Sequence, residues 1–232
     1  MDDFHPLAAA LDAAGLNRQH IFNGHDLPAD CLATLPPRAP EQQLILIGHA
    51  GRRLWDCVQA ATLPGPDPID TYSQRTVDRV FAQFLPGRPY QLLYPGPRLI
   101  GLQALGHQAG WHQPSPFMVG IDPHWGSWFA YRLVLLVDSH FLPTPRVDRA
   151  HPCLTCQSTP CLSACPPGAL KDGRFDLARC SDWRLQADSP CAEACLARNA
   201  CPVGSEHQYD PAQIAHSYRR SLAMLRDWRM RK

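Results

Sequence analysis

The sequence predicts an α+β protein with three parts: a mixed α+β domain over residues 1–140, a small cysteine-rich domain over residues 150–206, and a C-terminal helix over residues 207–232. Two observations carry this prediction. Helical and strand-like patterns of apolar residues share the first part of the chain, whereas eight of the ten cysteines lie between Cys153 and Cys201. Three prolines within residues 138–152 indicate a linker between these regions.

Composition excludes several classes of protein. The chain has 232 residues, 45% of them hydrophobic, which is enough for a core. Its formal net charge of +1 gives no reason to expect nucleic acid as a partner. No apolar run approaches the roughly 20 residues that cross a bilayer, and the acidic N-terminus lacks the pattern of a signal peptide. We therefore expect a cytoplasmic protein, with reduced thiols and no membrane partner.

The first domain is expected to begin with a helix over residues 4–16, which are rich in Ala and Leu. The apolar run at residues 43–51 ends in glycine and predicts a buried strand that leads into a loop. Residues 70–85 carry apolar side chains at helical spacing, so they predict an amphipathic helix with Asp70 or Ser73 as its N-cap.

Further strands and one long helix complete the predicted elements. Residues 89–96 and 128–137 are apolar and predict two strands, and a turn around residues 122–126 is expected to join the second of them to a preceding strand. Near the C-terminus, Asp210 precedes Pro211, which is the usual order of an N-cap and a first helical residue. The last helix therefore starts there.

The cysteine-rich domain opens with the spacing C-x2-C-x4-C-x3-C-P. Disulfides are rare in a reducing compartment, and structural zinc sites use two short cysteine pairs separated by a longer loop. Three closely spaced cysteines and a fourth followed by proline are typical of [4Fe–4S] ligation. All three interpretations remain open, and the iron–sulfur one is favoured for Cys153, Cys156, Cys161 and Cys165.

A second cysteine motif follows and also ends in Cys-Pro. In two-cluster ferredoxins, the fourth cysteine of each motif ligates the cluster of the other motif. Two clusters with four thiols each are therefore expected, and a single cluster with the remaining thiols free is the alternative. The predicted ligand sets are Cys153, Cys156, Cys161 and Cys201 for one cluster, and Cys165, Cys180, Cys191 and Cys195 for the other.

This region resembles the ferredoxin-like part of the epoxyqueuosine reductases and, more distantly, of the reductive dehalogenases. The resemblance covers residues 110–204 and includes the Gly-Ser-Trp stretch that starts at Gly126, the cysteine run, and the isolated cysteine in "ARCSDW". Those families carry two [4Fe–4S] clusters beside a cobalamin. Where the epoxyqueuosine reductases have a Glu-Arg pair and a Gly-Lys-Asn turn, this chain has "LGHQAGWHQPSP", so we assign no catalytic residue.

Residues 44–138 are similar to the cblC-type cobalamin-processing proteins, which remove upper ligands of cobalamin with glutathione. The stretches "LILIGHAGRRLWDCVQA", "DPIDTYSQRTVDRVF" and "MVGIDPHWGSWFAYRLVLLVD" carry this similarity. Arg132 falls on an arginine that helps bind glutathione in that family. The similarity implies a nitroreductase-like, cblC-like α+β domain, here joined to a ferredoxin-like module.

Together these resemblances imply an iron–sulfur redox protein that reduces or uses a bound cobalamin, with electrons from a redox partner protein or another low-potential donor. Whether it is an enzyme stays open. The alternative is a ferredoxin-type electron-transfer protein without a corrinoid that docks a redox partner. Arg132 in an apolar strand needs a ligand or an ion pair, for which Asp122 is one expected partner. The candidate cobalamin-binding residues are His124, Gly126, Trp128 and Arg132.

Overall fold

The computed structural model describes residues 2–37, 42–171 and 174–231. The chain divides into two compact units, the first formed by Met1–His112 with Phe129–Asp148, and the second by Gln113–Trp128 with Arg149–Lys232. The division differs from the predicted boundaries, because residues 113–128 and the C-terminal helix both belong with the cysteine-rich region.

The first unit is built on a four-stranded antiparallel sheet with the strand order β1-β2-β4-β3. Three of the strands lie where the apolar runs predict them, which confirms the α+β class. The first strand is not predicted by the sequence pattern. The strands are β1 (Arg18–Asn23), β2 (Gln42–Ala50), β3 (Tyr90–Tyr94) and β4 (Phe129–Asp138).

Helices cover one face of this sheet. Consecutive residues of β2 and β4 are buried, and because side chains alternate between the two faces of a strand, Ile45, Ile47 and Leu135 face the helices. They form one core with apolar residues of the first, third and fourth helices, including Leu11 and Val77. The helices of the unit are α1 (His5–Ala13), α2 (Ala29–Leu32), α3 (Arg53–Ala61), α4 (Pro68–Phe84) and α5 (Leu102–Gln108).

Two local predictions are wrong, one in each unit. Helix α4 has Asp67 at its N-cap position and Pro68 at its first turn, so it starts earlier than predicted. Asp70 and Ser73 are therefore helical residues, and the Ser73 hydroxyl donates to the Ile69 carbonyl at 2.7 Å. The strand expected before residues 122–126 is absent from the described structure, where this segment has only isolated bridges.

The predicted linker is partly ordered by the first unit. The amide of Phe141 and the hydroxyl of Ser139 both donate to the Gln43 side-chain oxygen at 2.9 Å. Thr144 donates its amide to the Ile21 carbonyl at 3.0 Å. These bonds tie the chain to β1 and β2 as far as Thr144, and the first unit ends at Asp148.

The second unit consists of short helices and one long one. Helix α9 begins as predicted: Asp210 is the N-cap, its carboxylate accepts the Gln213 amide at 2.7 Å, and Pro211 is the first helical residue. None of the helices in the described part of the chain combines the length and apolar character that crossing a membrane requires. The helices of this unit are α6 (Pro160–Ser163), α7 (Leu177–Leu185), α8 (Leu196–Asn199) and α9 (Pro211–Met230).

Candidate functional site

The structure brings one cysteine from the second motif to the thiols of the first. Burial raises the pKa of Cys153, and the neighbouring thiols of Cys201, Cys161 and Cys156 raise it further. The pKa of Cys161 is raised in the same way, by burial and then by Cys201 and Cys156. Cys153, Cys156, Cys161 and Cys201, which we name the first thiol set, are therefore electrostatic neighbours.

The remaining four clustered cysteines form a second group. Burial raises the pKa of Cys180 to about 11, with Cys195, Cys165 and Cys191 adding to the effect. The pKa of Cys191 is raised by burial and by Cys195 and Cys165. We name Cys165, Cys180, Cys191 and Cys195 the second thiol set.

Short helices position both sets. Cys161 lies in α6, Cys195 is the N-cap residue of α8, and Cys201 follows the end of α8. Cys161 and Cys201 are buried in one apolar cluster with residues such as Phe117 and Ile121. The motif spacing therefore places thiols at the ends of very short helices, where the backbone turns between them.

A cavity of about 260 Å³ lies at the second thiol set. All four thiols line it, together with apolar and aromatic side chains such as Phe117 and Trp183 and the guanidinium groups of Arg184 and Arg198. Within the described residues, no group of three or more His, Cys, Asp or Glu side chains is arranged to hold a metal ion. The cavity is thus a thiol-lined, largely apolar space with two cations in its wall.

Two glycines hold the loops of the second unit in close contact. Gly126 and Gly204 both have positive φ, of 59° and 61°. A Cβ atom on Gly126 would lie 2.0 Å from the Val203 carbonyl oxygen, so only glycine fits there. In this structure the space beside Gly126 is filled by the loop after Cys201.

The other predicted cobalamin residues of this unit lie in different surroundings. Trp128 is completely buried. The guanidinium carbon of Arg198 lies 4.4 Å from the centroid of its ring, and the centroid of the Tyr209 ring lies 5.4 Å away. Trp128 thus packs between Arg198 and Tyr209, and its contact with cobalamin stays a prediction. His124 is exposed and contacts the rings of Trp125 and His207, with centroids 4.7 and 4.8 Å away.

Arg132 belongs to the first unit and lies in a β-bulge. Ile47 pairs with Leu133 and Gly48 pairs with Tyr131, which leaves Arg132 as the extra residue of β4. Bulges re-aim a side chain and often lie beside functional sites. The bulge explains how a charged side chain leaves an otherwise apolar strand.

The expected pairing of Arg132 with Asp122 is wrong. Its Nη2 donates to His49 Nε2 at 3.1 Å, and its Nη1 lies 3.8 Å from the Asp70 carboxylate. Asp122 instead caps its own loop and lies 3.7 Å from Arg149 Nη1. Asp70, which lies far from Arg132 in sequence, therefore replaces the nearby carboxylate.

An aromatic and cationic group of the first unit was missed by the sequence analysis. The Arg18 guanidinium lies over the rings of Trp111 and Phe129, 4.5 and 4.9 Å from their centroids. The hydroxyl oxygen of Tyr131 is 3.1 Å from His112 Nδ1, and burial lowers the pKa of that histidine. The sequence of β1, RQHIFN, shows no alternation of polar and apolar residues, so it offered no strand signal.

No family model and no curated protein matches this chain. Among solved structures, epoxyqueuosine reductase from Bacillus subtilis aligns at 13% identity over 89% of this chain and 66% of that one, with a TM-score of 0.54. An epoxyqueuosine reductase crystallised with a modified tRNA stem loop aligns at 14% identity over 91% of this chain and 68% of that one, with a TM-score of 0.56.

The B12-trafficking protein CblC from C. elegans is also similar. It aligns at 15% identity over 97% of this chain and 96% of that one, with a TM-score of 0.51. The chain spans about two thirds of the epoxyqueuosine reductases and almost all of CblC. These structural neighbours belong to the two families that the sequence resembles, and this chain shares a fold with both.

Proposed function

We propose that this protein is an iron–sulfur redox protein, in which each thiol set holds a [4Fe–4S] cluster and which reduces or uses a bound cobalamin. The observation that carries the proposal is the grouping of the thiols. Cys201 lies with the first motif and Cys165 with the second, as in the crossed ligation of two-cluster ferredoxins. A bound cluster supplies one-electron transfer at low potential.

The residues around the thiols fit such a group. A cubane is held at four separate iron corners, so its thiolates surround a space instead of converging on one point. The second thiol set surrounds a cavity of about 260 Å³. Phe117 and Trp183 add apolar surface to its wall, and solvent exposure is one of the factors that set the potential of a cluster. Positive iron would also relieve the repulsion by which neighbouring thiolates raise the pKa of Cys180.

The support for cobalamin is the fold and one side chain. The fold is shared with epoxyqueuosine reductases and with a B12-trafficking protein. Arg132 is only partly exposed, and the described residues offer its Nε no hydrogen-bond partner. Because a buried donor without a partner is costly, this Nε is suited to a ligand oxygen of cobalamin or of a thiol cosubstrate.

The cluster assignment is tested by iron and acid-labile sulfide analysis of anaerobically purified protein. We expect about eight of each per chain, since each [4Fe–4S] cluster carries four. Cys201→Ser should damage the cluster of the first thiol set, and Cys57→Ser, outside both sets, should keep the full content. About four irons per chain, or zinc without sulfide, would contradict the proposal.

Cobalamin binding is tested by titrating hydroxocobalamin into the cluster-loaded protein and recording the corrin bands. We expect a spectral shift with a micromolar or tighter constant, and weaker binding of cobalamin or of glutathione by Arg132→Ala. Arg146→Ala is the control, because Arg146 pairs only with the exposed Asp148 in the described structure. No shift in a folded, cluster-loaded sample would favour the ferredoxin-type alternative.

A further inference from the structure

The two thiol sets differ in the charges that surround them. The Nε of Arg184 donates to the carbonyl of Cys191 at 3.1 Å, and both Arg184 and Arg198 line the cavity of the second thiol set. Arg184 also opposes the rise in the pKa of Cys180 and Cys191. Two permanent cations therefore belong to the second set.

Arg184 is held in place by helix α9. Its Nη1 donates to Ser221 Oγ at 3.1 Å and its Nη2 to the Tyr218 carbonyl at 3.2 Å. The guanidinium lies 5.2 Å from the centre of the Tyr218 ring. No carboxylate among the described residues pairs with it, so these residues leave its charge without an opposite charge.

Arg198 is a buried cation without a carboxylate partner in residues 2–37, 42–171 and 174–231. It is 8% exposed, lies over the ring of Trp128, and donates to the side chain and carbonyl of Ser127. A hydrogen bond and a positive charge from Arg198 also act on Tyr218, whose pKa burial raises to about 12. A buried charge of this kind is costly unless an anionic group lies beside it.

The two arginines belong to the surroundings of one set only. The cavity that they line is lined by all four thiols of the second set, and no cysteine of the first set is among the described residues that line it. Cys161 and Cys201 of the first set are instead buried among apolar residues such as Phe117 and Ile121. The same chemical group held by each set would therefore experience two different electrostatic environments.

We propose that Arg184 and Arg198 make the two cluster sites unequal, so that the site of the second thiol set has the higher reduction potential and takes the first electron. The inference rests on the proposed function. Reduction adds one negative charge to the site and oxidises a one-electron, low-potential donor by one electron, with no bond broken and no proton moved. A fixed positive charge favours that added charge, and a partly buried site screens it little.

The test changes the charge without removing either arginine. Ser221 is exposed and accepts from Arg184, so Ser221→Asp places a carboxylate against the guanidinium and neutralises it. Ser221→Asn has nearly the same shape and no charge, and is the matched control. The protein used is the full chain with both clusters, titrated with dithionite at controlled potentials and followed by electron paramagnetic resonance.

We expect Ser221→Asp to lower the higher of the two potentials and to leave the lower one unchanged. The expected change is about threefold to tenfold in the equilibrium constant for reduction, and tenfold corresponds to about 59 mV for one electron. Ser221→Asn should match the wild type. A shift of the lower potential, or equal effects of Asp and Asn, would overturn the inference.

Arg184→Gln extends the test, with Arg179→Gln as its control. Arg179 lies on the same helix and pairs outward with Asp176 at 3.4 Å. Arg184→Gln should lower the higher potential more than Ser221→Asp does, and Arg179→Gln should not. If Arg184→Gln cannot hold its iron, the Ser221 pair still decides. Failure of the wild type to bind eight irons contradicts the proposed function, whereas eight irons with no charge effect contradict only this inference.

Discussion

The two units of the chain bury different kinds of side chain. The core of the first unit includes eighteen buried apolar residues gathered around the sheet and helices α1, α3 and α4. In the second unit, an apolar cluster of six buried residues contains two of the thiols, Cys161 and Cys201. The first unit is therefore stabilised by the burial of apolar side chains. In the second unit, cysteine thiols occupy positions in the buried cluster that apolar side chains fill in the first.

The secondary structure follows the same division. In the first unit, β2 and β4 pair over nine positions and α4 is 17 residues long. In the second, α6 and α8 have four residues each, too short to be stable alone. We therefore expect the stability of the second unit to depend on the metal groups that its thiols bind.

Removal of the metal should have the largest effect and should separate the units. When iron is removed anaerobically with a chelator and a reductant, the amides of α7 and α9 should lose their protection from hydrogen exchange, because metal binding is coupled to folding at such sites. The amides of β2 and β4 should keep theirs. Exchange measured by mass spectrometry checks this, and equal loss in both units would contradict the comparison.

A pH effect is expected in the first unit. His20 is 2% exposed, and burial lowers its pKa to about 4. As the pH falls, His20 binds a proton in the unfolded state before it does so in the folded state. The free energy of unfolding is therefore unaffected by His20 above about pH 6.5 and falls between pH 6.5 and 4, by up to about 3 kcal/mol.

His20→Gln should reduce this loss, because glutamine does not titrate. Urea unfolding of the full chain at pH 7.5 and pH 4.5, followed by hydrogen exchange in β1 and β2, measures the difference. His25→Gln is the control, since the His25 side chain is 72% exposed. An acid-side loss that is the same in wild type and His20→Gln would assign it to other groups.

The smallest effect concerns the long helix of the second unit. Asp210→Ala removes the carboxylate that accepts the Gln213 amide and should cost about 1 kcal/mol. Because α9 also holds Arg184, iron should be released at a lower urea concentration. Asp227→Ala, at an exposed position in the same helix, should leave the midpoint unchanged. Equal urea midpoints of iron release for both variants would mean that the stability of α9 does not limit the stability of the second unit.

Periodicity predicted the elements whose apolar residues recur regularly. Helix α4 and strand β2 were found in this way, the Asp210-Pro211 pair predicted the start of α9, and the cysteine spacing predicted the two ligand sets. The structure places the same thiols near one another, and ligation itself stays a prediction. Strand β1 was missed because polar Arg18 and His20 are buried in it, which its sequence does not indicate.

Charged partners were the least predictable part. Asp70 lies in helix α4, far from Arg132 in the sequence, and only the fold brings the two side chains together. Arg184 and Arg198 have no sequence pattern that separates them from surface arginines, because their roles depend on the cavity wall that the folded chain creates. Local spacing can therefore predict ligands, but the charges that tune them require the tertiary structure.

The contact between Gly126 and Gly204 limits how this chain can diverge. A Cβ atom on Gly204 would lie 2.4 Å from the Gly126 amide nitrogen, and one on Gly126 would meet the Val203 carbonyl. Neither position can accept a side chain by a change at the other, since backbone atoms are the obstacle on both sides. Cys201 lies three residues before Gly204. Substitution at either glycine would therefore displace the loop that follows Cys201, so related chains should keep glycine at both positions.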